Sequence, residues 1–401
     1  MRNINLYFLL VGLLVFNLFF SCSSSTKQPS RSSAGGLDKA SVHIFKGDDY
    51  FFEEKYQQAN TSYLKALELE PNNPIAKTGK ALSSLKLAYV PQNAKMLLDN
   101  ASKNTFDSLG EALRDAQTDL EKRKVYNGYI FALTTVQLKG WSSRVEKYKN
   151  LSDKLEGGDA LETEFHLGLA YAAQYKYSDA IDKLNKVVRD GGQYAKRAEN
   201  ETTLLQKIQR AKPTTKLGNE IAFIDEINKA DLAALILLEL DLNRLSKKQG
   251  LKPDHSFQEP QEQTRKTIKE KRTQLAIDVE GHPLQEIINE SLELRIRGLE
   301  VDSSSKFYPD KFITKAEFAV ILEDILIRMQ SEEQLATKYI GEESPFPDVS
   351  PDKWYYNAAR VTTERQILPI GNEITGKFHP LSGVTGADAL LALSLLKDSG
   401  N

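Results

Sequence analysis

The sequence predicts a mainly α protein, with a solenoid of paired helices in its first half and a mostly helical module of repeated, capped helices in its second. Three observations predict it. The stretch Ile313-Thr314-Lys315-Ala316-Glu317 places a capping oxygen at Thr314 and an acid at Glu317 three residues on, then runs into Phe318-Ala319-Val320-Ile321-Leu322. That is a capping box opening a helix with an apolar stripe. Related patterns occur at Asn228-Lys229-Ala230-Asp231 and at Thr385-Gly386-Ala387-Asp388, each followed by an aliphatic run. Three variants of one helix start imply an internal repeat. Finally, 401 residues with 40% hydrophobic and 27% charged positions are enough for two or three domains with cores of their own.

In chain order, Met1-Arg2-Asn3 leads into the apolar run Ile4–Phe20, which ends at Ser21-Cys22-Ser23. A basic start, an apolar centre and small residues at the break read as an export signal over 1–21. The single cysteine of the chain stands at that break. The segment resembles a bacterial lipoprotein signal, and the resemblance implies cleavage before Cys22 and lipidation of its thiol. The apolar run also approaches a membrane span, so an uncleaved anchor is the other reading. Residues 22–38 are Ser-rich, with Gly35-Gly36, and read as a flexible tether. Ser23 follows the cysteine in place of the Asp that the lipoprotein family uses for inner-membrane retention, so the expected location is the outer membrane, facing the periplasm.

Ser41–Pro74 reads as two amphipathic helices joined by a short turn. Gly47, Tyr50, Tyr56, Ala59, Tyr63, Ala66 and Pro71 fall in a spacing whose front half recurs at Gly168, Tyr171, Tyr177 and Ala180. These positions resemble the tetratricopeptide (TPR) repeat, in which small residues let paired helices approach and aromatics fill the space beside them. Gly79-Lys80-Ala81-Leu82 and Asn127-Gly128-Tyr129 mark further helix pairs between the two matches. Residues 39–205 are therefore expected to form a TPR-like solenoid of three to five pairs. Such arrays bury a core by stacking and offer an extended surface to a protein partner, whose identity the sequence leaves open.

Lys212-Pro213-Thr214-Thr215 and Gly218 mark a boundary, and the charged stretch from Lys247 to Arg272, with Pro253 and Pro260, reads as an insertion or linker. The last unit is the clearest. Phe346-Pro347-Asp348-Val349, Trp354-Tyr355, Ala358-Ala359, Ile367-Leu368, Phe378-His379-Pro380 and the capped helix after Val384 occur in order. This series resembles an S-layer homology (SLH) repeat. Ile277-Asp278-Val279, His282-Pro283, Gly298-Leu299, Phe307-Tyr308-Pro309-Asp310 and Ile313-Thr314-Lys315-Ala316-Glu317 repeat the layout with losses, and the copy around Ile227 keeps its final helix. The resemblance places an SLH-like module at 214–398, with a partial copy at 216–245, a second at 275–327 and a third at 343–398.

The resemblance also implies function. In that family three repeats form a three-fold prism whose grooves bind anionic cell-wall polysaccharide through a cation in the first turn of the capped helix and nearby aromatic groups. Carried over position by position, it nominates Lys229, Lys315 and Trp354, with Gly386 in place of the third cation. Thr314, Glu317, Thr385 and Asp388 are expected as structural helix caps. A cation at a helix start opposes the helix dipole, a cost that a bound anion reverses.

Other classes have little support. A net charge of -2, from 53 basic and 55 acidic residues, gives no basic face for nucleic acid. The five histidines are scattered and one cysteine makes no metal motif. No phosphate loop, nucleophile elbow or HExxH is present, so neither a cofactor nor a metal is expected and the chain reads as no enzyme. The expected function is that of an envelope lipoprotein. It attaches to cell-wall polysaccharide or peptidoglycan through the SLH-like module and binds a protein through the TPR-like solenoid. The alternative is an assembly or secretion accessory factor acting through protein contacts only, and a wall hydrolase would be revealed by turnover of peptidoglycan.

Overall fold

The computed structural model describes residues 35, 38–89, 95–240, 276–371 and 374–399. The signal, Cys22, most of the tether and the charged stretch up to Arg272 lie outside the described residues. Among the described residues the protein is mainly helical, and its only strand-like features are two isolated bridges. It divides into two compact units, Met1–His166 and Leu167–Asn401, with the division inside one helix.

The first unit holds α1 (Ala40–Phe52), α2 (Tyr56–Leu69), α3 (Pro74–Ala88), α4 (Lys95–Asp115), α5 (Asp119–Val136), α6 (Trp141–Ser152) and the start of α7 (Ala160–Ala172). From α1 to α6 consecutive helices pack on one another, and α1 touches α3 as α3 touches α5. The starts are set locally. Asn73 accepts the Ala76 amide ahead of Pro74 at the first helical position, and Thr118 with Glu121 forms a complete capping box on α5. Tyr63 is the central packing residue, 2% exposed, with its hydroxyl donating to Asp48 Oδ1 at 2.6 Å. Its ring fills the space left by two glycines. A Cβ at Gly47 would lie 2.6 Å from the ring, and one at Gly79 2.2 Å from it.

Buried Arg123 fixes the turn between α6 and α7, donating to the carbonyls of Gly157 (2.6 Å) and Leu155 (2.5 Å) and to Ser152 Oγ. A buried guanidinium is tolerated because these oxygens satisfy it.

The second unit continues with α8 (Tyr177–Asp190), α9 (Ala195–Ala211), α10 (Lys216–Ile221), α11 (Lys229–Glu239), α12 (Gln285–Glu293), α13 (Lys315–Gln330), a 3-10 turn at Glu333–Thr337, α14 (Tyr356–Glu364) and α15 (Gly386–Ser399). Its core is built by α11, α13 and α15, which bury Leu232, Leu235, Ile236, Phe318, Ile321, Leu322, Leu390 and Leu393. Each carries an outer helix: α12 packs on α11, α14 on α13, and α9 on α15. The outer place that the partial first copy lacks in the sequence is thus taken by α9, upstream of residue 214.

The three capped helix starts are joined in a cycle. The amides of Lys229 and Ala230 donate to the carbonyls of Lys311 and Pro309 (2.9 and 3.0 Å), and those of Lys315 and Ala316 to Ser382 and Pro380 (both 2.9 Å). The Gly386 amide donates to Ile224 O at 2.8 Å, which returns to the segment before α11. Ile313 N–H donates to Ile227 O and Ile227 N–H to Val384 O, so the three approach segments also pair with one another. All three of these aliphatic residues are buried. Each repeat therefore satisfies the helix start of its neighbour, and the cycle closes within one chain.

Candidate functional site

Two aspartates fix the turns that surround the site. Asp278 accepts the amides of Phe307 and Tyr308, and Asp348 accepts those of Phe378 and His379, all at 2.8 Å. Tyr308 and His379 share a left-handed conformation, φ 58° and 57°. Both carboxyls are held below the usual range. Burial opposes this, but the paired backbone donors outweigh it. The two turns are therefore the same device used twice, and each delivers a buried Phe, Phe307 or Phe378, beneath a lysine.

Lys229 Nζ lies 4.4 Å from the centre of the Phe307 ring and donates to Glu300 O at 2.9 Å. Lys315 Nζ lies 4.5 Å from the Phe378 ring centre and donates to Pro369 O at 2.7 Å. Among the described residues neither ammonium forms an ion pair. Burial pushes both lysines below their ordinary pKa. For Lys229 the charge of Lys311 adds to this and Glu300, Glu317 and Asp278 offset it, while Asp388 and Asp348 do so for Lys315. An ammonium has three donors. One is used here, and a ring face is a modest counterpart for the charge.

Around Lys229 these parts enclose a groove of about 200 Å³. All three repeats contribute: Lys229 from the first, Phe307, Tyr308, Lys311 and Glu317 from the second, and Trp354 from the third. Trp354 is 68% exposed and meets Tyr355 edge to face. Tyr308 is also exposed, so an indole and a phenol stand open beside two lysines. Lys311 donates to Glu317 Oε1 at 2.5 Å, while Glu317 Oε2 caps α13 by accepting from Thr314. Glu317 stays below the usual carboxylate range because Lys311 and Thr314 outweigh its burial. The volume lies below the ~300 Å³ of small-molecule clefts.

The amides at the starts of α11 and α13 offer nothing to a ligand. Asn228 and Asp231 exchange hydrogen bonds in a full capping box, Thr314 and Glu317 do the same, and the next two amides are taken by the neighbouring turns. What these starts leave unsatisfied is the remaining donor capacity of the lysine side chains. Thr385 and Asp388 are paired at the start of α15, where Asp388 N–H donates to Thr385 Oγ1. There Gly386 occupies the lysine position, and a Cβ on it would sit 1.7 Å from Ile221 O. The third position is closed by backbone.

Of the three residues nominated from the sequence, the structure places Lys229 and Trp354 on one groove and Lys315 at the related turn. It passed over Tyr308 and Lys311. Their signal was positional, since Lys311 follows Pro309 by two residues in the turn that holds the Lys229 amide. Elsewhere, His43 pairs with Asp38 and His166 approaches Glu162, and no group of three metal-ligating side chains occurs among the described residues. No helix among those residues is long and apolar enough to cross a membrane. Compared with known proteins, the sequence matches no family model and no curated protein, and the fold matches no solved structure.

Proposed function

We propose that the chain is a non-enzymatic envelope lipoprotein. Its C-terminal unit is an SLH-like module that holds anionic cell-wall polysaccharide, and its N-terminal unit is a TPR-like solenoid that binds a protein. The observation that carries the reading is the groove at Lys229. A desolvated ammonium without an ion pair among the described residues lies beside an exposed Trp354 and Tyr308. Aromatic faces suit the apolar faces of sugar rings and the ammonium suits an acidic substituent, so the pair selects a charged glycan over a neutral one. The Tyr63 contact with Gly47 and Gly79 supports the TPR-like reading of the first unit. Lipidation at Cys22 would add a second attachment point, and tethering raises the effective concentration of a weak glycan contact at the wall.

The test is co-sedimentation of the full chain with purified cell walls, before and after chemical removal of wall-linked polysaccharide. The expected result is binding to intact walls that weakens with salt, is lost on stripped walls, and falls in Lys229→Ala and Trp354→Ala. Equal binding to stripped walls, or binding to envelope proteins alone, would overturn the reading in favour of an accessory factor.

A further inference from the structure

The repeat pattern places no second cation beside Lys315. The residue corresponding to Lys311 is Ser382, since both follow the turn proline by two and both give their carbonyl to the lysine amide of the neighbouring helix start. Yet a lysine is present. Lys207 of α9 donates to Asp388 Oδ1 at 2.6 Å, while Asp388 Oδ2 accepts from Thr385 Oγ1. Glu317 divides its two oxygens in the same way, one for the cap and one for Lys311. Asp388 and Glu317 hold the same position in their helices, so Lys207 and Lys311 each pair with the carboxylate at that position.

Three further features recur. Lys315 sits over Phe378 as Lys229 sits over Phe307, and each is fixed by one carbonyl. His379 takes the place and backbone conformation of Tyr308. We propose that Lys207 is a ligand-contacting residue of a second glycan site at Lys315, where it supplies the charge that Lys311 supplies at the first. This rests on the reading of the module as a binder of anionic wall glycan. It assigns the chain two unequal sites, the first completed by Lys311 from a repeat turn and the second by a helix from outside the repeats. The third position stays closed at Gly386.

The chain has two tryptophans, Trp141 and Trp354. Trp354 lines the first groove, so its fluorescence reports that site. The experiment measures binding of the full chain to purified walls, together with Trp354 quenching by glycan released from the same walls. Lys207→Gln and Lys311→Gln are each expected to weaken wall binding by about tenfold, the low end for a lost charge-assisted contact. The quenching midpoint should move in Lys311→Gln and stay in Lys207→Gln. Asp388→Asn separates ligand contact from mere support. It breaks the ion pair but leaves the Lys207 charge, so binding should hold or tighten. Equal weakening by Lys207→Gln and Asp388→Asn, or no weakening by Lys207→Gln where Lys315→Ala loses affinity, would make Lys207 a structural partner and overturn the proposal. Unchanged wall binding in both Lys229→Ala and Lys315→Ala would instead remove the glycan reading itself.

Discussion

Gly386→Ala turns the closed third position into a test of sign. Replacing a glycine by alanine at an ordinary helical position gains about 0.5–1 kcal/mol. Here the new Cβ would meet Ile221 O at 1.7 Å and the Ile221 carbonyl carbon at 2.6 Å, where real Cβ contacts essentially never fall under 3.0 Å. The start of α15 must withdraw from the Ile221–Ile224 backbone. That breaks the Gly386 N–H bond to Ile224 O and strains the Ile227 N–H bond to Val384 O, the link that closes the cycle. An unsatisfied buried donor costs about 1–3 kcal/mol and overpacking about 1–3 more, so a loss of roughly 2–6 kcal/mol is expected. For a unit of this size the centre of that range lowers Tm by roughly 10 °C. Thermal unfolding followed by circular dichroism measures it. Gly386→Lys should lose as much and gain no wall affinity, although it completes the motif. An unchanged or raised Tm in Gly386→Ala would refute the reasoning, because it would mean that the contact relaxes freely.

Three further outcomes are expected. A fragment beginning at residue 214 lacks α9, whose Ala198, Leu205, Ile208 and Ala211 are buried, together with the Lys207–Asp388 pair. Burial of Leu205 and Ile208 alone contributes about 3–6 kcal/mol, comparable to a domain's net stability, so this fragment should melt well below one spanning Leu167–Asn401; equal melting temperatures would show that α9 is dispensable. Glu239 is buried and accepts from the amides and hydroxyls of Thr214 and Thr215 at 2.7–3.1 Å. Glu239→Ala orphans these donors and should lower the urea midpoint by an equivalent of about 2–4 kcal/mol, with Glu239→Gln recovering part of the loss. Asp278 has a folded pKa below its ordinary 3.8, so its stabilisation is present above that value and fades as pH falls through it toward the folded value. Asp278→Asn should therefore be less stable than the parent at neutral pH, and the difference should shrink as pH falls below the ordinary value, as acid unfolding curves of the two would show.

Much of the second unit was legible because its signals are chemical requirements at single positions. A capping box needs an oxygen and an acid three residues apart, and Asn228/Asp231 and Thr314/Glu317 make that exchange. The two turn aspartates were legible as members of the repeated series, but their partners were not. Asp278 reaches Phe307 and Tyr308 across 29 and 30 residues, a distance that no local pattern encodes. The box at Thr118 and Glu121 was missed although it has the same chemistry, because Lys122-Arg123-Lys124 stands where the apolar run would follow. The glycines of the first unit were visible as small positions. What they accommodate, one tyrosine ring wedged between two of them, depends on packing across three helices.

The role of α9 shows where such reading ends. A packing place on α15 asks only for a helix of adequate length with an apolar stripe, and many sequences meet that condition. The place can therefore be filled by a helix with no trace of the repeat signature, and its residues read equally well as part of the preceding array. The start of α15 is the opposite case. It admits one residue, glycine, for a reason set by the carbonyl of Ile221, and the sequence displays that residue as an apparent loss of the cation. Degeneracy of packing hid a helix that belongs to the second unit, and stringency of backbone contact disguised a structural requirement as decay. Lys207 combines both effects: it pairs with Asp388 as Lys311 pairs with Glu317, and it is carried by a helix the pattern does not mark. Positions in a degenerate repeat are therefore best compared by the hydrogen bonds they share, as Ser382 and Lys311 share theirs, before a missing side chain is taken for a missing function.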